Sequence, residues 1–277
     1  MGAIACSRTM PDARDEYGAM SALFYDDFAT GVAGDVAFYV ARARSAGSPV
    51  LELGCGTGRI LFPMAEADIE VVGLDASPDM LAVAQRKLMA LPAERQRHVR
   101  LVQGDMRDFA LEQRFALVAI PYRAFLHNLD AEDQLRALGC VHEHLVSEGQ
   151  LVLNVFDPDV KKLAVGRWVM PPERRRELRH PTSGNPVRVR EDFRYDLERQ
   201  LVTGGFVFEE VDADTGGVVG VTRTPLTLRY LFRWEMAHLL ARAGFRVEAL
   251  FGDFSGGKFR AGGEQVWVAR RCERLLL

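Results

Sequence analysis

The stretch VLELGCGTGRI, Val50 to Ile60, decides the fold. A short run with apolar residues at its ends (VLEL) leads into three glycines at alternate positions, Gly54, Gly56 and Gly58, and the chain then enters an apolar segment. Without Cβ atoms these positions permit a tight strand-to-helix turn and let backbone N–H groups come close to a ligand. A plain turn would need one glycine. Three of them, with an acid (Asp75) ending the next apolar run, point to a bound group. A dinucleotide wants glycine at the first, third and sixth places. Here the sixth place is Arg59, whose bulk would crowd a pyrophosphate. A carboxylate at the end of the second strand suits a ribose diol. The expected ligand is therefore a nucleoside without a diphosphate.

Outward from the loop, strands and helices alternate. Strands are predicted at 50–53, 70–74, 99–103, 116–120 and 150–156, with a helix at 59–67 after the glycines. Ser77-Pro78 supplies an N-cap and a first-turn proline for a helix carrying Met80, Leu81, Ala84 and Leu88 on one face. Asp130 caps another, with Leu135, Leu138, Val141 and Leu145 near helical spacing and Gly149 as its stop. Such alternation predicts an α/β, Rossmann-like, doubly wound and mostly parallel sheet. Beyond Asp157 the period shortens to two: Val187, Val189, Phe193 and Tyr195, then Leu226, Leu228, Tyr230 and Phe232, with turn chemistry at 212–217. The α/β pattern resumes with a helix at 233–243 and strands at 246–251 and 265–269, which brings the main sheet to seven strands. The expected organisation is an α/β domain of residues 1–157 and 231–277, with 1–45 as a helical N-terminal cap, and an antiparallel lid insert at 158–230.

Composition sets the function classes. The 277 residues are 48% hydrophobic and 26% charged with a net charge of −3, which fits a soluble globular protein and offers no basic surface to nucleic acid or an anionic membrane. No apolar run reaches the ~18 residues of a membrane span. The opening MGAIACSRTMPDARDE has no basic segment followed by a long apolar one, so a cytoplasmic protein is expected. The four cysteines are isolated, so neither a disulfide framework nor a zinc site is predicted.

Four segments in order, VLELGCGTGRI, VVGLDASPDML, VRLVQGDMRDF and FALVAIPYRAFLHN, resemble the class I S-adenosylmethionine-dependent methyltransferases over residues 50 to about 156. The resemblance implies S-adenosyl-L-methionine as cofactor and S-adenosyl-L-homocysteine as product. It places Glu52, Gly54, Gly56 and Gly58 under the methionine part, Asp75 on the ribose diol, and Ala76 and Met80 beside the adenine. Asp105 would bond the adenine amino group with the Met106 backbone alongside, and Ile120 would face the sulfonium side. Tyr17, in the N-terminal segment, is expected near the cofactor.

The layout is similar to small-molecule N-methyltransferases of the glycine and aminosugar types, which carry an antiparallel insert after the fifth strand. In the aminosugar enzymes an early tyrosine and a histidine just after the fourth strand line the site; Tyr25 and His127 match those places and are the catalytic candidates. An imidazole can accept a proton near neutral pH. Where those enzymes have a glycine-lysine run, this chain reads ATGVAGD, which leaves the acceptor open. Tyr122, Arg123, Asp157, Tyr230 and Arg233 are candidates for acceptor binding. Arg123 could instead pair with a surface acid, Asp157 begin a turn, and Tyr230 belong to the core. The expected activity is methyl transfer by in-line displacement to a nitrogen of a small molecule, with a hydroxyl acceptor or a non-catalytic cofactor-binding protein as alternatives. A carboxylate-lined acceptor pocket would favour an amine, an apolar slot an aromatic hydroxyl. A homodimer is expected from the resemblance alone.

Three other patterns carry less. Cys140, His142 and His144 (CVHEH) look like metal ligands, but only 140 and 144 share a helical face, so a solvated helix end is expected. The basic run at 174–176 is offset by Glu173 and Glu177. IPYR at 120–123 faintly resembles the Asn-Pro-Pro-Tyr motif of nucleic-acid amino methyltransferases, but Ala119 stands where its hydrogen-bonding residue would be.

Overall fold

The computed structural model of the chain describes residues 18–174 and 176–272. Two helices come first, α1 (Ala19–Phe28) and α2 (Asp35–Ala46). The α/β part follows as β1 (Val50–Leu53), α3 (Leu61–Glu66), β2 (Val71–Asp75), α4 (Pro78–Ala90), the short α5 (Ala93–Gln96), β3 (Val99–Gln103), β4 (Phe115–Ile120), α6 (Ala131–His144) and β5 (Leu145–Phe156). Helix α4 starts as its sequence dictates: the Ser77 hydroxyl accepts from the Met80 N–H and proline occupies the first turn. Asp130 caps α6 in the same way, accepting from Asp133 N.

The insert adds α7 (Val160–Val165), β6 (Arg167–Val169), β7 (Arg176–Arg179), β8 (Pro186–Asp196), β9 (Leu201–Val211) and β10 (Val218–Arg229). The chain ends its described part with α8 (Arg233–Arg242), β11 (Phe245–Phe251) and β12 (Glu264–Arg271). The main sheet has seven strands in the order β11-β12-β5-β4-β1-β2-β3. The strands from β3 to β5 pair in parallel, and β12 runs antiparallel to both β5 and β11. Strands β6 to β10 form a separate antiparallel sheet.

Burial on both faces explains why β1 and β4 are almost wholly buried while β3, at the edge, is half exposed. One face packs Leu51, Leu53, Val118 and Leu153 against α6 and α8, and the other packs Val50, Val71 and Val268 against α2, α3 and α4. A third, smaller core joins α1 to the insert. Phe24 stacks on Phe208 with ring centroids 5.0 Å apart, beside Val187 and Val189. At about 1.5–3 kcal/mol for each buried large apolar side chain, this core fixes α1 against the insert sheet.

Two local expectations fail. Helix α6 ends at His144, not at Gly149, because the chain turns directly into β5 there and passes Glu148 at a φ of 60°. The end of α6 is also not solvated: His142 and His144 are buried, and their rings bond the carbonyls of Cys272 (2.8 Å) and Cys140 (2.7 Å). The second ring nitrogen of His144 accepts the Leu111 N–H. His142 thus ties α6 to the end of β12 and His144 ties it to the loop before β4, and no cluster able to hold a metal occurs among the described residues. Among the same residues no helix is long and apolar enough to cross a membrane.

Candidate active site

A cavity of about 490 Å3 opens at the carboxyl ends of β1, β2, β3 and β4, as expected for a doubly wound sheet. Gly54 and Gly56 form its floor at positive φ of 69° and 53°. A Cβ on Gly54 would stand 2.7 Å from the Ala124 side chain, so only glycine keeps both the turn and the open floor. Gly58 does not face the cavity. Its missing Cβ makes room for the Phe62 ring, 2.2 Å from where that atom would be, so this third glycine serves packing under the loop.

Asp75 lines the cavity and takes two backbone donors, Gly56 N at 2.7 Å and Ser77 N at 2.8 Å. Burial pushes its carboxyl above the usual range, opposed by these N–H groups and by the nearby His127. Ala76, Met80 and Met106 line the same space. Asp105 lines it as well, with its carboxylate held by Arg107 (backbone N at 2.9 Å, Nε at 2.9 Å), which also bridges to Asp133 at 2.6 Å. Ile120 is fully buried and does not reach the cavity; the next residue, Pro121, does.

Glu52 lies beneath the glycine loop, 1% exposed, and its Oε2 has no hydrogen-bond partner. Burial raises its carboxyl well above the usual range, and Arg59 acts against that. Arg59 binds Asp35 through two nitrogens at 2.9 and 2.7 Å and lies 5.1 Å over the Tyr122 ring. The bulk that disfavours a pyrophosphate thus joins the N-terminal cap to the turn after β4.

Tyr122 and Arg123 adopt left-handed φ of 50° and 69°, a conformation that costs on the order of 1–3 kcal/mol in a non-glycine residue. Asn154 of β5 holds them there: its Oδ1 accepts from Tyr122 N (2.8 Å) and Tyr39 Oη (3.0 Å), its carbonyl accepts from Arg123 N (3.2 Å), and its Nδ2 donates to Glu264 (3.0 Å). The turn presents Tyr122 and His127 to the cavity beside Tyr25 of α1. Burial, with Tyr122 and Asp75 adding to it, raises the Tyr25 phenol, so this side chain keeps its hydroxyl proton. Helix α1 is seated over the loop by Thr57 Oγ1 donating to Asp26 (2.6 Å) and by Lys87 pairing with Asp26 (2.6 Å).

A second, mostly apolar cavity of about 110 Å3 lies between α1, this turn and β9–β10 of the insert. Tyr25, Tyr122 and His127 border both cavities. Arg123 borders the second, with its guanidinium paired to Glu264 and set over Phe156. Three other candidates are elsewhere. Asp157 is buried, accepting from Gly262 N (2.8 Å) and Gln265 Nε2 (2.7 Å), and shapes the loop before β12. Tyr230 is core, 1% exposed. Arg233 stacks over Trp234 and Phe259, away from both cavities. Tyr17 lies outside the described residues. Sequence reading missed the roof of the first cavity, Arg199, Leu201 and Arg229, which come from strand ends of the insert and carry no motif.

Comparison with known proteins fits this architecture. Residues 50–149 match the methyltransferase domain family. Among curated relatives, the chain is 33% identical over 126 residues to the cypemycin N-terminal methyltransferase of a Streptomyces species, covering 46% of this chain and 49% of that protein. It is also 33% identical over 121 residues to the dTDP-3-amino-3,6-dideoxy-alpha-D-glucopyranose N,N-dimethyltransferase of Streptomyces fradiae, covering 44% of each. The match thus spans about half the length of these relatives. Among solved structures, the CcbJ methyltransferase from Streptomyces caelestis superposes with a TM-score of 0.79 at 24% identity, covering 94% of this chain and 99% of that one. The glycopeptide N-methyltransferase MtfA with S-adenosyl-L-homocysteine superposes with a TM-score of 0.58 at 26% identity, covering 86% of each. The fold is that of the class I S-adenosylmethionine-dependent methyltransferases.

The residues present fit that cofactor. A floor without side chains and carboxylates near two strand ends form a donor and acceptor set for an adenosine bearing an amino-acid tail; Glu52, expected there too, lies buried beneath the loop and is not among the residues that line the cavity. Nothing in that set demands a diphosphate.

Proposed function

We propose that the protein is an S-adenosylmethionine-dependent methyltransferase that alkylates the nitrogen of a small acceptor. The reading rests above all on two adjacent cavities: one has a nucleoside-sized floor of glycine and carboxylate, the other is a small apolar slot, and Tyr25, Tyr122 and His127 border both. When bound, S-adenosylmethionine supplies a methyl group on a sulfonium sulfur; the acceptor's lone pair forms the new N–C bond as the S–C bond breaks, leaving S-adenosylhomocysteine.

The chain's own work is positioning. Asp75 would hold the ribose, Asp105 and the Met106 backbone the adenine with Ala76 and Met80 beside it, and Gly54, Gly56 and Glu52 the methionine part. The apolar slot strips water from the acceptor amine and so favours its neutral, nucleophilic form. The Tyr25 hydroxyl orients the acceptor, and His127 takes the proton lost from the alkylated nitrogen.

The N-directed activities of the cypemycin, aminosugar and glycopeptide enzymes support a nitrogen acceptor. The apolar lining of the slot favours a second reading, an aromatic hydroxyl acceptor. A cytoplasmic protein acting on small molecules and not on nucleic acid remains our expectation from composition and charge, and a homodimer our expectation from the resemblance. Calorimetry with S-adenosylhomocysteine tests the first cavity, and transfer of a labelled methyl group to a panel of amines and phenols tests the second. No binding by the unmodified protein would remove the proposal, and transfer confined to phenols would replace nitrogen by oxygen.

A further inference from the structure

Among the described residues, three buried side-chain polar atoms lack any hydrogen-bond partner: Glu52 Oε2, Thr224 Oγ1 and Arg229 Nε. Glu52 underlies the glycine loop and Arg229 borders the first cavity. Thr224 is 6% exposed and borders the second. It sits within β10 opposite Phe206 of β9, flanked in the slot by Leu226, Leu228 and Phe28.

An orphaned buried hydroxyl is destabilising, and valine would have the same shape without that cost. Strand position therefore does not explain a threonine here. The hydroxyl and methyl share one Cβ, so a single χ1 rotation carries Oγ1 from one side of the side chain to the other. A polar group on a molecule within the slot would supply the missing partner. The slot's volume, about 110 Å3, is of the same order as the ~150 Å3 apolar cavity that takes up one benzene ring. Its faces are apolar, which suits a ring and not an extended polar chain.

We propose that Thr224 is a specificity-determining residue that reads a hydroxyl on a six-membered ring of the acceptor, whose amine points to the Tyr25–His127 junction. This rests on the methyltransferase reading of the same site. An acceptor with a hydroxyl satisfies Thr224, and one without it leaves Thr224 unpaired.

The test is calorimetric titration of the S-adenosylhomocysteine-loaded protein with the regioisomers of aminocyclohexanol and with cyclohexylamine, which lacks the hydroxyl. At least one aminocyclohexanol should bind about tenfold more tightly than cyclohexylamine. Thr224→Val should abolish that preference while leaving affinity for cyclohexylamine and S-adenosylhomocysteine unchanged, and Thr224→Ser should keep it. The Val variant should melt no lower than the parent, since it removes an unpaired polar atom, so loss of folding cannot imitate the result. The proposal is overturned if no regioisomer is preferred, if the preference survives Thr224→Val, or if neither probe binds the loaded protein. Failure of S-adenosylhomocysteine itself to bind would instead overturn the methyltransferase reading.

Discussion

Replacing Glu52 by Gln should change how stability depends on pH, and the sign is fixed by the structure. Glu52 is 1% exposed, one of its oxygens has no partner, and burial holds its carboxyl well above the ordinary value of 4.5. A carboxyl raised on folding binds its proton more tightly in the native state. Its contribution is therefore fully present below the unfolded value and is lost as pH rises through the window up to the folded one. Within that window each pH unit removes about 1.4 kcal/mol, or about 3 °C of melting temperature for a chain of this size. Melting curves of the parent and of Glu52→Gln between about pH 5 and about pH 7 should diverge, the parent losing stability relative to the variant as pH rises. The slope of the difference is the readout, since the buried glutamine amide shifts both ends equally. Calorimetry in two buffers of different ionisation enthalpy should also show proton release when S-adenosylhomocysteine binds the parent, and less from the variant. A difference in melting temperature that is flat with pH, or one that favours the parent as pH rises, would refute the reasoning.

Asp75→Ala should weaken S-adenosylhomocysteine binding about 100-fold in calorimetry, at ~1.5–3 kcal/mol for each charge-assisted bond to the ribose; unchanged affinity would remove Asp75 from the site. His127→Ala should lower methyl transfer at least tenfold while leaving S-adenosylhomocysteine affinity nearly intact, and an unchanged turnover would show that the ring only packs. Arg59→Ala strands Asp35, 3% exposed, without its cation, and should cost about 3–5 kcal/mol in chemical denaturation. Arg59→Ala with Asp35→Ala should recover much of that loss, and a double variant no more stable than the single would argue against the pair.

Much of the α/β part was legible because each element carries its own punctuation. Ser77-Pro78 and Asp130 start helices by local chemistry, and β4, like β1 apart from Glu52, is apolar because both faces are covered. The glycine loop was legible as a cradle, but the division of labour within it was not. Gly58 answers to the Phe62 ring, a contact that spacing alone does not reveal. The acceptor side was harder to read for a physical reason. Its residues come from α1, the turn after β4 and two insert strands, β9 and β10, brought together by a sheet whose inner face shows only as alternation. Tyr230 obeys that alternation and ends in the core, while Thr224, with an equally ordinary pattern, borders the slot. Asp157 and Arg233 sat at plausible places in the chain, but loop bonds and aromatic neighbours hold them elsewhere. Arg59 stood out in the sequence only as bulk in the glycine loop, and its pairing with Asp35 had no local signal.

Helix α1 has a double allegiance. Asp26 fastens it to the glycine loop and to α4, Phe24 and Phe28 press it into the insert, and between them Tyr25 forms a wall shared by both chambers. The seat of this one short segment therefore shapes both chambers at once, and a change that loosens either attachment reaches the lining of the other.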